Sequence, residues 1–473
     1  MDKIEKRTGL PPQRPAPASV HYTDRHYDPV YCLRHSKFLA RIIWRKCVHD
    51  VYEPHPARLY RIPKADGSFR EIMHFSIPDT ALANIVNKRV VKRNIRKQSG
   101  NSFAYRPDRD AFDALLKIKS AIKGHKNFLI QIDFEKYFDS IEHDLINRVI
   151  SDKRIFTSTS LERSVIKRFV KHKYIRFPKL DSIVVDSKKI GTPQGSSVSL
   201  VLANLANHEL DMRLEEINGQ FARYADDTVV FCYSYEDAIQ IYRIFCEHCA
   251  ATGLKINDSK SPGISILSLS QEEMRSSNDF KFLGYGVNKN NLIMHDDVKL
   301  KLKRKFSNLI NLYLLHYTKK FGANISRVGT GHDWDLIGLI YEIRNIIYGG
   351  LSEREIVSSL KGQSRLAKMT GLMSFYALLE DRNGLAEMDG WLSRQIYAAS
   401  IKRYETGFFP VTPRSIMNIR NIIDGTWYTA DFTGDRLDAR LPSFVRGWAA
   451  ARKYYMTYGL NNVQSPTYVT GYI

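Results

Sequence analysis

Cysteine is scarce in this chain, five in 473 residues, and the number is odd. That excludes a disulfide-built scaffold and points to a reducing cytoplasm. Long apolar runs are missing too, with nothing near the ~18 residues that span a bilayer. The opening Met1-Asp-Lys-Ile-Glu-Lys6 lacks the apolar stretch of a secretory signal. No repeat of fixed period and no coiled-coil heptad occurs. Acid is in short supply: 50 Asp and Glu stand against 71 Lys and Arg, a net charge of +21. Such a surplus is an electrostatic footprint of polyanion binding. A membrane surface would want a basic amphipathic helix or a lipid anchor, and neither stands out.

What is present is ordinary in bulk, with 43% hydrophobic and 26% charged residues. At about 150 residues per domain the length suggests roughly three domains. Four prolines within Pro11–Pro17 read as an extended arm. Apolar spacing from Tyr27 to Val51 suggests one or two helices. Leu59–Met73 reads as a hairpin around Ala65-Asp-Gly-Ser68, followed by a helix through Leu82–Ile95. Phe128–Ile132 is a short strand ending at Asp133, and Ile141–Ile150 has helical spacing. Val198–Leu214 reads as one buried helix, Phe221–Phe231 as two strands about a turn, Ala238–Ala250 as a helix and Phe280–Val287 as a strand. Helical pattern fills Val298 to Tyr404, and the remainder reads as loop-rich and aromatic.

Asp226 and Asp227 lie between the apolar flanks Phe221–Tyr224 and Thr228–Phe231. Paired aspartates are turn formers in their own right. Asp133 adds a third carboxylate at the end of another strand, where it can meet a hairpin tip. Three converging carboxylates repel unless hard cations hold them, and two Mg²⁺ ions would clamp both oxygens of a phosphoryl transfer. Gly191-Thr-Pro-Gln-Gly-Ser-Ser197 has the wrong spacing for a Walker A loop and no Lys after its second Gly. Cys246-Glu-His-Cys249 has ligand-like spacing, but no second pair completes a zinc site, so these cysteines read as buried.

Several blocks then occur in order: Gln131-Ile-Asp133-Phe-Glu-Lys-Tyr-Phe138-Asp-Ser-Ile141, Gly191-Thr-Pro-Gln-Gly195, Tyr224-Ala-Asp226-Asp227 and Phe282-Leu-Gly284. Together they resemble motifs A, B, C and E of bacterial retroelement-type reverse transcriptases. Ile62-Pro-Lys64 to Arg70 resembles the fingers hairpin, Asn101–Pro107 the segment after it, and Gly253–Lys260 motif D. The resemblance covers roughly residues 55–290. It implies an α+β right-hand polymerase with fingers, a palm built on an antiparallel sheet, a helical thumb and a C-terminal extension. The domains would be an N-terminal arm and helices (1–54), fingers and palm (55–290), thumb (291–404) and an aromatic, basic extension (405–473).

Carried over by position, Asp133, Asp226 and Asp227 would be catalytic and would bind two Mg²⁺ ions, with Mn²⁺ as a substitute and the Phe134 carbonyl as a further ligand. Lys64 and Arg70 would hold the incoming triphosphate, Gln194 would lie beside the nucleotide, and Lys260 would protonate the leaving pyrophosphate. Phe138 would exclude a ribose 2′-OH. A stripe of Lys88, Arg89, Lys92, Arg93, Arg96 and Lys97 has no acid within it and reads as an RNA-backbone contact, joined by Arg106. Lys299–Lys305 opens the expected thumb and could track a duplex. Group II intron proteins typically carry Pro in the run that here reads Ser199-Leu-Val-Leu-Ala-Asn204, and no endonuclease module follows. The nearest resemblance is to defence-associated, anti-phage reverse transcriptases, which implies a cognate non-coding RNA as template or scaffold, with dNTPs and a DNA product as further partners. A homo-oligomer is an option, and the cysteine usage points to a cytoplasmic location. Tyr458, Tyr468 and Tyr472 are candidate priming hydroxyls in the tail. Competing readings are a group II maturase, an RNA-dependent RNA polymerase and a catalytically silent RNA-binding scaffold.

Overall fold

The computed structural model describes residues 24–63, 67–122, 127–176, 185–187, 189–217, 219–268, 274–316, 333–366, 369–405, 418–428, 431–432, 435–436 and 438–459. The proline-rich arm, Lys64, Tyr468 and Tyr472 lie outside the described residues. The chain divides into two compact units, residues 1–109 with 129–264, and residues 110–128 with 265–473. The division runs within the 55–290 segment rather than at its end.

In the first unit, strands β1 (Ala57–Pro63) and β2 (Phe69–His74) form the expected antiparallel hairpin, with Ile62 opposite Arg70. Next in the chain come β3 (Phe128–Ile132), β4 (Lys173–Arg176) and β5 (Val185–Ser187). Strand β4 runs parallel to β1, and β5 pairs antiparallel with β4. Strands β6 (Gly219–Tyr224) and β7 (Asp227–Cys232) pair antiparallel, with β7 between β6 and β3. Residues Thr228 to Cys232 are buried without alternation, as a strand covered on both faces requires. The helix Tyr235–Thr252 packs against β7, and the nearby helix Ser197–Ala206 buries Val198, Val201, Leu202 and Leu205. The helix Ile77–Asn94 packs against it through Ala83, Val86 and Val90. Ser76 caps that helix by accepting the Asp79 N–H at 3.3 Å.

Three expectations need correction. The single helix expected over Val198–Leu214 breaks at Asn207 into Ser197–Ala206 and His208–Glu215. The buried Asn207 amide is drawn to the His248 ring, Oδ1 to Nε2 at 2.9 Å, a tertiary contact invisible in the periodicity. The strand expected over Phe280–Val287 is a hairpin, Asp279–Phe282 with Tyr285–Asn288. Its central residues Leu283 and Gly284 both have positive φ, 50° and 79°, the geometry of a tight two-residue turn. The loop-rich tail contains a helix, Phe444–Tyr458.

The second unit is largely helical, with Ala111–Ala121, Asp296–Ile310, Trp334–Tyr348, Glu353–Leu360 and Arg382–Glu405 around buried apolar faces. The Phe444–Tyr458 helix is pinned at its start. The Asp389 carboxylate accepts the Phe444 N–H at 2.6 Å, the Val445 N–H at 3.2 Å and the Ser443 hydroxyl at 2.6 Å. Its cations face protein acceptors: Arg446 pairs with Glu353, Arg452 donates to the Leu379 carbonyl at 2.6 Å, and Lys453 donates to the Ser359 carbonyl at 2.9 Å. Among the described residues no helix is long and apolar enough to cross a membrane.

Candidate active site

The two-residue turn Ala225-Asp226 joins β6 to β7, with Tyr224 opposite Asp227 in register. Ala225 holds a left-handed φ of 62° there. Asp226 therefore stands at the tip and Asp227 at the first position of β7, beside the end of β3. Burial is the largest influence on both carboxyls and raises both above the ordinary range. Asp133 adds like charge to Asp226, while Lys260 and Arg70 oppose the shift. Asp227 is pushed up to about 8 by burial and by the charges of Asp226 and Asp133, with a hydrogen bond from Gln131 acting the other way. Such mutual repulsion is what a hard divalent cation relieves.

Asp133 is held from the opposite side. Lys260 Nζ donates to its Oδ2 at 2.8 Å and Asn257 Nδ2 to the same oxygen at 3.3 Å. Its backbone N–H donates to Ser261 Oγ at 3.0 Å, and its carbonyl accepts the Asn257 N–H at 2.8 Å. The bond to Asp133 raises the Lys260 pKa. Among the described residues no three His, Cys, Asp or Glu side chains stand arranged as a ready ligand set. The donor set fits a divalent cation by its chemistry: three carboxylates, of which Asp133 and Asp226 raise Asp227 and Asp133 raises Asp226, with the Lys260 ammonium sharing Asp133. Phe134 is buried, bridges Ile256 in antiparallel fashion and stacks on Tyr137 at 5.6 Å.

The nucleotide-side residues gather around the same strands. Arg70 is exposed on β2, and its charge reaches Asp226 and Tyr105. Gln194 is fixed at both ends: its carbonyl accepts the Met73 N–H at 2.6 Å, and its Nε2 donates to Asp139 Oδ2 at 3.0 Å. Gly195, at φ 119°, lies so close to β2 that a Cβ would sit 2.3 Å from the Met73 carbonyl oxygen. Phe138 is partly exposed, edge-on to Tyr105 with ring centroids 6.3 Å apart. Tyr105 itself holds a left-handed φ of 59°. The sequence pattern does not single out Tyr105, Asp139, Asn257 and Ser261 as site residues, although the first three fall within the motif segments Asn101–Pro107, Gln131–Ile141 and Gly253–Lys260.

The basic stripe has no acid within it but is not uniform in its surroundings. Arg93 forks onto Glu162 of the helix Ser160–Val170, at 2.5 and 3.3 Å. Lys97 donates to the Lys153 carbonyl and to Thr157 Oγ1, the latter at 2.7 Å. Arg106 has a buried side chain that bonds Asp108 and the Ser99 carbonyl, both within 2.8 Å. Lys88, Arg89, Lys92 and Arg96 are exposed. The acid that answers Arg93 lies 69 residues away, where no i,i+4 rule looks, whereas Lys97 meets a carbonyl and a hydroxyl and the acid of Arg106 is its near neighbour Asp108. Cys246 is exposed and Cys249 partly so, against the expectation of burial; their helix Tyr235–Thr252 turns His248 inward instead. Tyr458 ends the Phe444–Tyr458 helix, its ring 4.8 Å from that of Tyr454 and under Arg365 at 4.2 Å.

A hairpin tip with paired aspartates, set beside a strand-end aspartate in a mixed helix and sheet fold, defines the palm of a right-hand nucleic-acid polymerase. Residues 62–287 match the family model described as reverse transcriptase (RNA-dependent DNA polymerase). Relatives include the group II intron-encoded protein LtrA of Lactococcus lactis subsp. cremoris, 28% identical over 185 residues, covering 38% of this chain and 28% of LtrA. An uncharacterized 91 kDa protein in the cob intron of Schizosaccharomyces pombe is 31% identical over 172 residues, covering 35% of this chain and 20% of that protein. Protein YkfC of Escherichia coli (strain K12) is 27% identical over 178 residues, covering 35% and 42% respectively. The chain thus spans less than half the length of each of these relatives. Among solved structures, telomerase from Candida albicans in complex with a fragment of telomeric RNA matches with a TM-score of 0.41 and 13% identity, over 76% of this chain and 65% of that one.

Proposed function

We propose that the protein is an RNA-directed DNA polymerase that copies a cognate non-coding RNA in the cytoplasm, in the service of anti-phage defence. The observation that carries the catalytic part is the carboxylate group: Asp133 and Asp226 raise the proton affinity of Asp227, Asp133 raises that of Asp226, and the three lie where β3 ends and β7 begins. Divalent ions held by these carboxylates would supply charge stabilisation and an activated 3′ oxygen. The chain's own residues do the rest. Arg70 offers a forked cation to the incoming triphosphate. Gln194, steadied by Asp139, lines the nucleotide position. Phe138, backed by Tyr105, restricts room at the sugar, and Lys260 stands ready to hand a proton to the leaving group. The defence role and the non-coding RNA template rest on the sequence resemblance. The LtrA relative favours a second reading, an intron RNA-binding reverse transcriptase of maturase type.

The test pairs Asp226→Asn with wild type on an RNA template in Mg²⁺. We expect at least ~10³-fold loss of dNTP incorporation with an unchanged circular dichroism spectrum. Near-normal polymerisation by the variant overturns the assignment. Sequencing the RNA that copurifies separates the two templates: a discrete non-coding RNA supports the first reading and a flanking intron the second. Phage plating with and without the Asp226→Asn allele decides the defence role.

A further inference from the structure

The tip of the β6–β7 hairpin rests on a cation that solvent does not reach. Arg223 is fully buried, and its Nε and Nη2 clasp the two carboxylate oxygens of Asp211 at 2.7 and 2.5 Å. The remaining reach of the guanidinium is spent on neighbours. Nη1 donates to the Ala225 carbonyl at 2.9 Å and to Asn204 Oδ1 at 3.3 Å, and Nη2 donates to Ser102 Oγ at 2.9 Å. The main chain of Arg223 grips a second segment: its N–H donates to the Asn101 carbonyl and its carbonyl accepts the Phe103 N–H, both at 2.9 Å. Asn204 Nδ2 continues the grip by donating to the Ala104 carbonyl at 2.6 Å.

Two strained residues flank this knot. Ala225 on one side has φ 62° and Tyr105 on the other has φ 59°. A non-glycine residue in that region persists only where its surroundings over-determine it. One holds Asp226 at the tip, and the other presents the ring that backs Phe138. We infer that the buried Arg223–Asp211 pair is a positioning pair, setting the Ala225-Asp226 turn and the Tyr105–Phe138 wall in one shared register. The functional half of this inference rests on the polymerase reading, and the structural half does not. A pair that served the core alone would lower stability and leave carboxylate geometry and sugar choice untouched.

The test uses Arg223→Lys, which keeps the charge and loses the fork, and Ser102→Ala, a mild change that removes one acceptor. Amide hydrogen exchange of metal-free protein is measured over residues 101–105 and 224–227, with the helix Ile77–Asn94 as internal control. Mn²⁺ binding is titrated directly, and the rNTP/dNTP incorporation ratio is read on a poly(rA)–oligo(dT) substrate. Arg223→Lys should speed exchange in both segments by about tenfold with the control helix unchanged. It should also weaken Mn²⁺ binding by about tenfold, the usual effect of losing support behind a ligand, and raise the rNTP/dNTP ratio. Ser102→Ala should move all three readouts the same way by less, and it carries the test if Arg223→Lys does not fold. Faster exchange at 224–227 alone overturns the coupling. Faster exchange throughout the first unit, with Mn²⁺ binding and sugar ratio unchanged, reduces the pair to a core element and overturns the inference. If wild type makes no DNA on this substrate, the polymerase reading falls, while the exchange and Mn²⁺ measurements still decide the positioning pair.

Discussion

Asp227 carries a carboxyl lifted to about 8, and that shift has a sign that can be checked. In metal-free protein between about pH 4 and pH 8, the folded chain keeps a proton that the unfolded chain has released. The contribution to stability is therefore complete below the ordinary carboxylate range and is lost as pH rises towards 8. Scanning calorimetry in chelator should show Tm falling across that window, Asp227→Asn should flatten the slope, and added Mg²⁺ should restore stability at pH 8. A wild-type Tm indifferent to pH in chelator would refute the coupling of the three carboxylates. Phe138 supports a second expectation at this scale. Its partly exposed ring is steadied edge-on by Tyr105, so Phe138→Ala should admit ribonucleotides while dNTP incorporation persists. An unchanged rNTP/dNTP ratio would make Phe138 a packing residue.

Elements show where a local change acts through a neighbour. The helix Tyr235–Thr252 turns His248 into the protein, where burial drops its pKa to about 4 and Asn207 meets its Nε2. The depressed pKa gives stability that is present above about pH 6.5 and lost as pH falls to 4, on the order of 3 kcal/mol. His248→Leu should leave a shallower acid limb in urea titrations between pH 6.5 and 4, whatever it does to stability at pH 7. The same pair explains what the sequence left unread. Periodicity finds the apolar faces of Val198–Leu214 but not the break at Asn207, because the cause is a ring 41 residues away. β3, the β1–β2 hairpin and the paired-aspartate turn were legible, since each depends on neighbours within a few residues and on turn chemistry. The Phe280–Val287 hairpin escaped because the first of its two left-handed positions falls on Leu283, an unusual residue for it. The Arg223–Asp211 clasp escaped for the opposite reason: an arginine in a strand reads as solvated until tertiary packing removes the water.

At the scale of the molecule, a net charge of +21 suits a polyanion partner but does not say where it would sit. The structure divides the basic stripe into cations already spent and cations available. Arg93, Lys97 and Arg106 are bound to protein acceptors, so their loss should act first on stability. Arg93→Gln leaves the buried Glu162 carboxylate without its fork and should cost about 1–3 kcal/mol in denaturant unfolding, with the salt dependence of RNA binding unchanged. Lys88, Arg89, Lys92 and Arg96 are exposed on and just beyond a helix whose other face is locked into the first unit by Ala83, Val86 and Val90. Replacing these four with Gln should leave unfolding nearly unaltered. Filter binding across a salt series should show weaker RNA binding, and if all four meet single-stranded phosphates the slope of log K on log salt should shrink by about 3. The two sets make opposite forecasts from one continuous run of basic residues. Should the exposed quadruple variant bind RNA with the wild-type slope, the polyanion is held by another face of the protein, and the Lys299–Lys305 run on the helix Asp296–Ile310 becomes the next set to neutralise.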